Sequence, residues 1–219
     1  MLHGPLSHPH TFRKDGVPMQ GRTHVLGGLA AAGIALSLGV GHPVTLVLAC
    51  GFGGLLPDWD HPHSTLGRFI PWPAVSHSRG PHAPPAVGRA GFPHPIWHRH
   101  QAHSLIGMTA AVGVFTGLVV VLWQILAAHI PGLARHVSCP WLWIALGLWF
   151  GGLSHLVLDG FNQERQWWLW PFSRQGFRWP VHAPVQRIDG LVFLGLTVVV
   201  VLLAWHLRVW ALHPPLFSF

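Results

Sequence analysis

Apolar residues in this chain come in long blocks, not in the alternating or one-faced patterns of water-soluble domains. Ser104 to Ala128 runs for about 25 residues without a charge. Pro140 to Leu158 and Leu191 to Leu207 are alike, each holding one histidine, His155 and His206. A span needs roughly 20 apolar residues, so these three blocks predict transmembrane helices. Two shorter blocks come first, Val25 to Val40 and Val44 to Leu56, on either side of Gly41-His42-Pro43. Gly and Pro so close together signal a turn. Both blocks are short for a full span, which predicts a hairpin of short helices sheltered by the bundle; a re-entrant hairpin is the other arrangement. The expected fold is all-α, an integral membrane helical bundle of about five apolar helices.

The expected organisation is a polar N-terminal extension at 1–23, a single membrane helical domain at 24–213 and a C-terminal tail at 214–219. Within the domain, 61–102 is crowded with Pro, His and Gly and predicts a loop; loops of that length are functional or disordered. No small-residue cleavage site follows the first apolar block, so no removed signal peptide is expected. Met19 offers a second start, which would leave the residues before it without fold content. A second polar connection, about Gly160 to Asp189, holds Trp167, Trp168, Trp170 and Trp179. Tryptophan there suits the water–lipid interface.

Composition agrees with a bilayer as solvent. Charged residues make up 9% of the chain, against about 25% in soluble domains. The two cysteines, Cys50 and Cys139, form no metal or disulfide spacing and are expected as free thiols.

Following the helices along the chain brings the polar motifs to one end. His24 stands at the start of helix one. "LLPDWDHP" closes helix two with Asp58, Asp60 and His61. "HRHQAHS" opens helix three with His98, Arg99, His100 and His103, and "SHLVLDGFN" returns His155, Asp159 and Asn162 at the end of helix four. Of 13 Lys and Arg, all but Arg135 and Arg208 are expected on that same side. By the positive-inside rule it is the cytoplasmic side. The net charge of +7 favours anionic lipid headgroups or phosphate substrates.

The chemistry follows from residue type and spacing. His155 and Asp159 stand four apart on a helix and share a face, where an imidazole and a carboxylate can hold one metal ion; a structural His–Asp hydrogen bond is the alternative. Asp58 and Asp60 follow a helix C-terminus, where negative charge is unfavourable, and two of them call for a cation; simple solvation is the alternative. Ser104 is placed to cap helix three. In a chain with 19 His, a chance cluster makes His100 a weak candidate beside His98 and His103, and the insertion histidines His63, His77, His82 and His94 read as loop composition. His24 is open between ligand and helix-start residue. Ionisable groups inside a membrane bundle mark function by default. The expected metal ligands are His24, Asp58, Asp60, His61, His98, His103, His155 and Asp159. Mixed His and Asp donors fit zinc, with manganese or iron also admitted. Asp60 serves as the spare carboxylate base for a metal-activated water, and Arg99 neutralises developing phosphate charge.

These motifs, "RTH", "LLPDWDHPHSTLG", "HRHQAHSL", "GGLSHLVLDGFN" and "LWPFSR" in order, resemble the YdjM-like family, described in part as LexA-binding, inner-membrane-associated, metal-dependent hydrolases. The resemblance covers about Arg22 to Arg174. It implies a membrane-bound helical protein related in fold to zinc-dependent phospholipase C and its nuclease relatives, which cleave phosphodiesters with zinc held by His and Asp. Carried over by motif, the functional positions are His24, Asp58, Asp60, His61, His98, Arg99, His103, His155 and Asp159. Ala102 stands where the family commonly has Thr, and His100 where it commonly has Gly.

The expected function is a hydrolase of the bacterial inner membrane, multi-pass, acting on a phosphoester or phospholipid-like substrate. Its partners would be membrane lipids, with no direct nucleic-acid contact. The alternative is a non-catalytic membrane scaffold or regulator, for example LexA-binding, with a structural metal. Metal transport would need ionisable residues deeper in the spans, and His206 is too isolated to supply them.

Overall fold

The computed structural model describes residues 19–59, 64–69, 102–130, 132, 139–162, 165–173, 175–180 and 185–212. Among these the chain is all-helical. Its five helices are α1 (Gly21–Ser37), α2 (Pro43–Gly53), α3 (Leu105–His129), α4 (Trp141–Asp159) and α5 (Val185–Leu212), with 3-10 turns at Leu56–Asp58 and Gly67–Phe69. Residues 1–18, most of 61–102 and the tail at 214–219 lie outside the described residues.

Length separates two kinds of helix. Leu105–His129, Trp141–Asp159 and Arg187–Arg208 are long and apolar enough to cross a membrane. At 1.5 Å per residue, the 11 residues of α2 rise only about 16 Å, half a bilayer core. The 17 residues of α1 rise about 25 Å. The first two helices therefore form the short hairpin expected from the sequence. Pro43 opens α2 at a position where its missing N–H costs nothing, and Gly39 and Gly41 take the positive φ that the turn between the two helices requires.

Helix α1 starts at Gly21, just ahead of the Arg22-Thr23-His24 start read from the sequence, but α5 starts at Val185, six residues before the apolar block at Leu191. Asp189, expected in a connection, is instead helical and buried. The reason is tertiary. Asp189 Oδ1 accepts the Thr23 hydroxyl at 2.6 Å and the Gln20 amide at 3.2 Å. It thereby supplies the negative charge and acceptor that the N-terminus of α1 lacks locally. Ile188 beside it packs against Met19 and Leu158. These buried contacts hold polar residues in helix where hydropathy alone would end it.

Helices α1, α2 and α4 form the centre of the bundle, with α3 laid against α4 and α5 against α1. The central trio packs backbone to backbone. A Cβ built on Gly28 of α1 or on Gly151 of α4 would sit 2.1 Å from the Cys50 carbonyl oxygen of α2. Small residues allow such approach, the usual way helices associate where lipid removes the hydrophobic drive. Outside the trio, Val114, Leu118, Leu122 and Ile125 of α3 and Leu194, Val198 and Leu202 of α5 are exposed, as lipid-facing surfaces require. Cys50 and Cys139 are free thiols, as expected.

The glycine contacts make a direct prediction. Gly28→Ala or Gly151→Ala forces two helices apart and is expected to cost about 1–3 kcal/mol. Gly113→Ala, where nothing lies within 4 Å of the added carbon, is expected to be neutral or to stabilise by up to about 1 kcal/mol through helix propensity. Thermal unfolding of the three variants in the same detergent checks the ordering.

Candidate metal centre

Four chain segments deliver side chains to one end of the bundle. His24 comes from the first turn of α1, and Asp58 from the 3-10 turn after α2. His103 immediately precedes the Ser104 cap of α3, and His155 and Asp159 come from the last turns of α4. Each delivery has a local cause. The Ser104 hydroxyl accepts the Gly107 amide at 3.0 Å, so α3 begins at Leu105, two residues after His103. The Ser64 hydroxyl donates to the Asp58 carbonyl at 2.7 Å and accepts the Gly67 amide at 2.8 Å, tying the turn that carries Asp58. His155 and Asp159 meet because they stand four apart on a helix.

Their donor atoms converge closely. His103 Nε2 lies 3.3 Å from His155 Nε2, 3.3 Å from Asp58 Oδ1 and 3.0 Å from Asp159 Oδ2. His155 Nε2 lies 3.7 Å from Asp58 Oδ1 and 3.5 Å from Asp159 Oδ2. Ligands bound at roughly 2.0–2.2 Å around a tetrahedral zinc stand about 3.3–3.6 Å apart, so these spacings fit one small cation. Orientation agrees. The Nδ1–H of His155 donates to the Gly54 carbonyl at 2.7 Å. This leaves the Nε2 lone pair facing the cluster, the arrangement by which a backbone carbonyl fixes a metal-binding histidine. The Asn162 amide donates to Asp159 Oδ1 at 2.6 Å, which holds the carboxylate with Oδ2 toward His103 and His155.

His24 extends the centre on its far side. Its ring stacks on His155, centroids 3.7 Å apart, and its Nε2 is 3.5 Å from Asp159 Oδ1. Its Nδ1 is buried and finds no hydrogen-bond partner among the described residues. Two triads result, His24–His155–Asp159 and Asp58–His103–His155, each with donor atoms within 4.8 Å of one another. Both need Nε2 of His155, whose other nitrogen is committed to Gly54. One ring nitrogen binds one ion, so these are overlapping halves of a single centre. Asp159 joins the two halves as His155 does, facing His24 with one carboxylate oxygen and His103 with the other.

Charge balance argues for a cation here. His103 is fully buried between two carboxylates. Burial alone would lower its imidazole, but hydrogen bonds to Asp159 and Asp58 and the charges of both raise it to about 10. A proton on His103 thus takes the place that a metal would claim. Any metal that binds must displace it, since ligands coordinate in their deprotonated forms.

Of the residues singled out in the sequence, His24, Asp58, His103, His155 and Asp159 are brought together. Asp60, His61, His98 and Arg99 lie outside the described residues. Sequence reasoning missed three supporting groups. The Gly54 carbonyl carries no side-chain signal at all. Gln166, buried with its amide 3.4 Å from the Asp159 carbonyl, sits in a connection without periodicity. Asp189 was legible only as one of 6 acidic residues in the chain.

A family model described as YdjM inner membrane protein matches residues 19–218. A Bacillus subtilis (strain 168) protein described as uncharacterized protein YvsG is 27% identical over 183 residues, covering 82% of this chain and 91% of that protein. No solved structure matches.

Purified in detergent without chelators, the protein is expected to carry zinc or manganese. His155→Ala and Asp159→Ala should lose it, while His129→Ala, at the opposite end of α3, should keep it; elemental analysis reads the difference. Asn162→Ala, which removes the hydrogen bond that orients Asp159 and the one that Asn162 accepts from the Met19 amide, should weaken binding by about 10–100-fold. Because the metal displaces the His103 proton, apparent affinity should rise about tenfold per pH unit below the His103 value of about 10 and fall on acidification. Titration calorimetry in buffers of different ionisation enthalpy measures the released proton.

Proposed function

The chain belongs to the YdjM inner membrane protein family, and from that premise we propose that it is a membrane-bound, metal-dependent hydrolase acting on a phosphoester or phospholipid-like substrate. One observation carries this reading. His103, His155 and Asp159 are sealed from solvent, but the Asp58 side chain is 26% exposed. The centre is therefore closed on three sides and open on the side of Asp58. Catalytic zinc sites keep an open position in this way, whereas structural ones are closed by four protein ligands.

A bound zinc, or manganese or iron in its place, would lower the pKa of a coordinated water and polarise a phosphoryl oxygen. The residues do the rest. His103, His155 and Asp159 form the buried floor that would hold the ion. Asp58, on the open rim, is within reach of the same ion and of any group arriving from outside, so it can accept a proton there. Asp60 as base and Arg99 as the cation that offsets phosphate charge stay as assignments from the sequence. A lipid substrate suits a centre placed where Leu105 and Asp159 end two candidate spans. Arg22, Arg68, Arg165, Arg178 and Arg187 lie at that end of the helices and Arg208 at the other, an asymmetry that supports a multi-pass arrangement with the centre on the cytoplasmic side.

The four-donor spacing favours one alternative. With Asp58 as a permanent fourth ligand the shell is closed, and the protein would be a scaffold or regulator, for example one that engages LexA, with a structural metal. Asp58→Asn separates the two. For a hydrolase, the variant should retain metal while cleavage of a short-chain phospholipid or an aryl phosphodiester falls by about 10²–10⁴-fold, the range for loss of a general base. Loss of metal and of thermal stability together, with no hydrolysis by wild type, would establish the closed structural centre.

A further inference from the structure

The segment between α4 and α5 has a fixed root and an apolar tip. Gln166 and Phe177 exchange both backbone hydrogen bonds at 2.7 Å, so the chain folds back on itself. The rings of Trp168, Phe177 and Trp179 pack in file, with centroids 4.5 and 4.8 Å apart. The root is tied to the ends of two candidate spans. The Leu105 amide donates to the Trp168 carbonyl at 2.9 Å. The Trp179 amide donates to the Gly160 carbonyl at 2.9 Å, and its indole N–H donates to the Val157 carbonyl at 3.1 Å.

From this root the tip projects outward. Phe172 is 86% exposed and Leu169 is 58% exposed. The tip turns tightly: the Ser173 amide bonds to the Leu169 carbonyl at 3.0 Å, and the Trp170 amide to the Trp167 carbonyl at 3.0 Å. These donors are satisfied internally, as immersion in a poorly hydrated medium requires. Exposed Arg165 and Arg178 flank the tip on the two arms, where they suit anionic headgroups.

We propose that Leu169–Phe172 is a wedge that inserts into the headgroup and upper-chain region of the leaflet beside the metal centre. Three features select lipid as its occupant. The root is hydrogen-bonded to Leu105, the first residue of a candidate span, so the loop continues a surface that already meets lipid. Aromatic side chains crowd the root, as they do at membrane interfaces. Cations flank the apolar tip, the pattern of a segment that rests among phosphates with its apolar side down. The wedge stands on the membrane assignment alone and needs no hydrolysis. Its consequence is positional: the root touches the Asp159 carbonyl through Gln166, so the leaflet surface and the metal centre share one framework.

The test places an environment-sensitive fluorophore on Phe172→Cys, on Leu169→Cys and, as a polar exposed reference away from this loop, on Thr65→Cys, with Gln175→Cys marking the edge of the tip. Cys139→Ser removes the accessible thiol, while Cys50 is buried and stays. The proteins are reconstituted in nanodiscs of phosphatidylcholine and phosphatidylglycerol. Labels at 172 and 169 are expected to emit to the blue of the label at 65. They should be quenched several-fold more by lipids spin-labelled near the top of the acyl chain, and several-fold less by iodide. Iodide quenching at 172 and 169 equal to that at 65 would overturn the wedge. Shielding from both quenchers would overturn it as well, since protein would then cover the tip. Thermal unfolding of each labelled sample confirms that the bundle is intact, and two tip positions guard against one disruptive substitution.

Discussion

The hydrogen bond from His155 Nδ1 to the Gly54 carbonyl, 2.7 Å long, is the contact on which the site depends. It decides which ring nitrogen faces the cluster and therefore whether His155 can be a ligand at all. The bond exists because helix α4 approaches α2 closely enough for a side chain of one to reach the backbone just beyond the other. That approach rests on Gly28 and Gly151, whose missing side chains leave room for the Cys50 carbonyl between them. Gly54 itself lies so near the His24 carbonyl that a Cβ there would be 2.3 Å away. The backbone packing of three helices and the geometry of the centre are one constraint.

Burying several ionisable groups at the end of an apolar bundle is expensive. The cost is limited by the way the groups satisfy one another. Asn162 supports Asp159, which faces His24, His103 and His155; Asp58 shares His103 and opens toward solvent. A scaffold would gain little from such an arrangement over apolar packing of the same volume. A group of donors spaced for a cation, sealed on one side and open on the other, is what hydrolytic chemistry with a metal needs. The same end of the bundle carries most of the described arginines and an aromatic loop. The proposed lipid contact, these cations and the candidate metal centre therefore share one end of the bundle.

Hydrophobicity made the long helices legible. Runs such as Ser104 to Ala128 leave the backbone no alternative in lipid but to satisfy its own hydrogen bonds. The turn at Gly41-His42-Pro43, the Ser104 cap and the i, i+4 pair His155–Asp159 are equally local, and each stands where the pattern placed it. Helix ends were less legible. Neither Gly21 nor Val185 is marked by hydropathy, because the group that begins both helices is a contact between Thr23 and Asp189 across the bundle. Of the candidate ligands, those next to a predicted helix end could be assigned to a common face by counting helices. Their distances could not, because a spacing of 3.0 to 3.7 Å depends on how far glycines let helices approach.

By itself the sequence determined the class of the protein and the inventory of the site. Long uncharged runs set the membrane helices, and the reversal of direction at each connection brought histidines and aspartates to one end. Both follow from periodicity and length, which are properties of the chain alone. Tertiary structure decided which of those residues meet. It set the tautomer of His155 through a backbone carbonyl, enclosed His103 between two carboxylates, left Asp58 on the open rim and drew Asp189 into a helix. Each of these rests on atoms distant in sequence and brought within van der Waals or hydrogen-bond range. Backbone carbonyls and the space left by a missing Cβ carry no signal in a one-dimensional pattern.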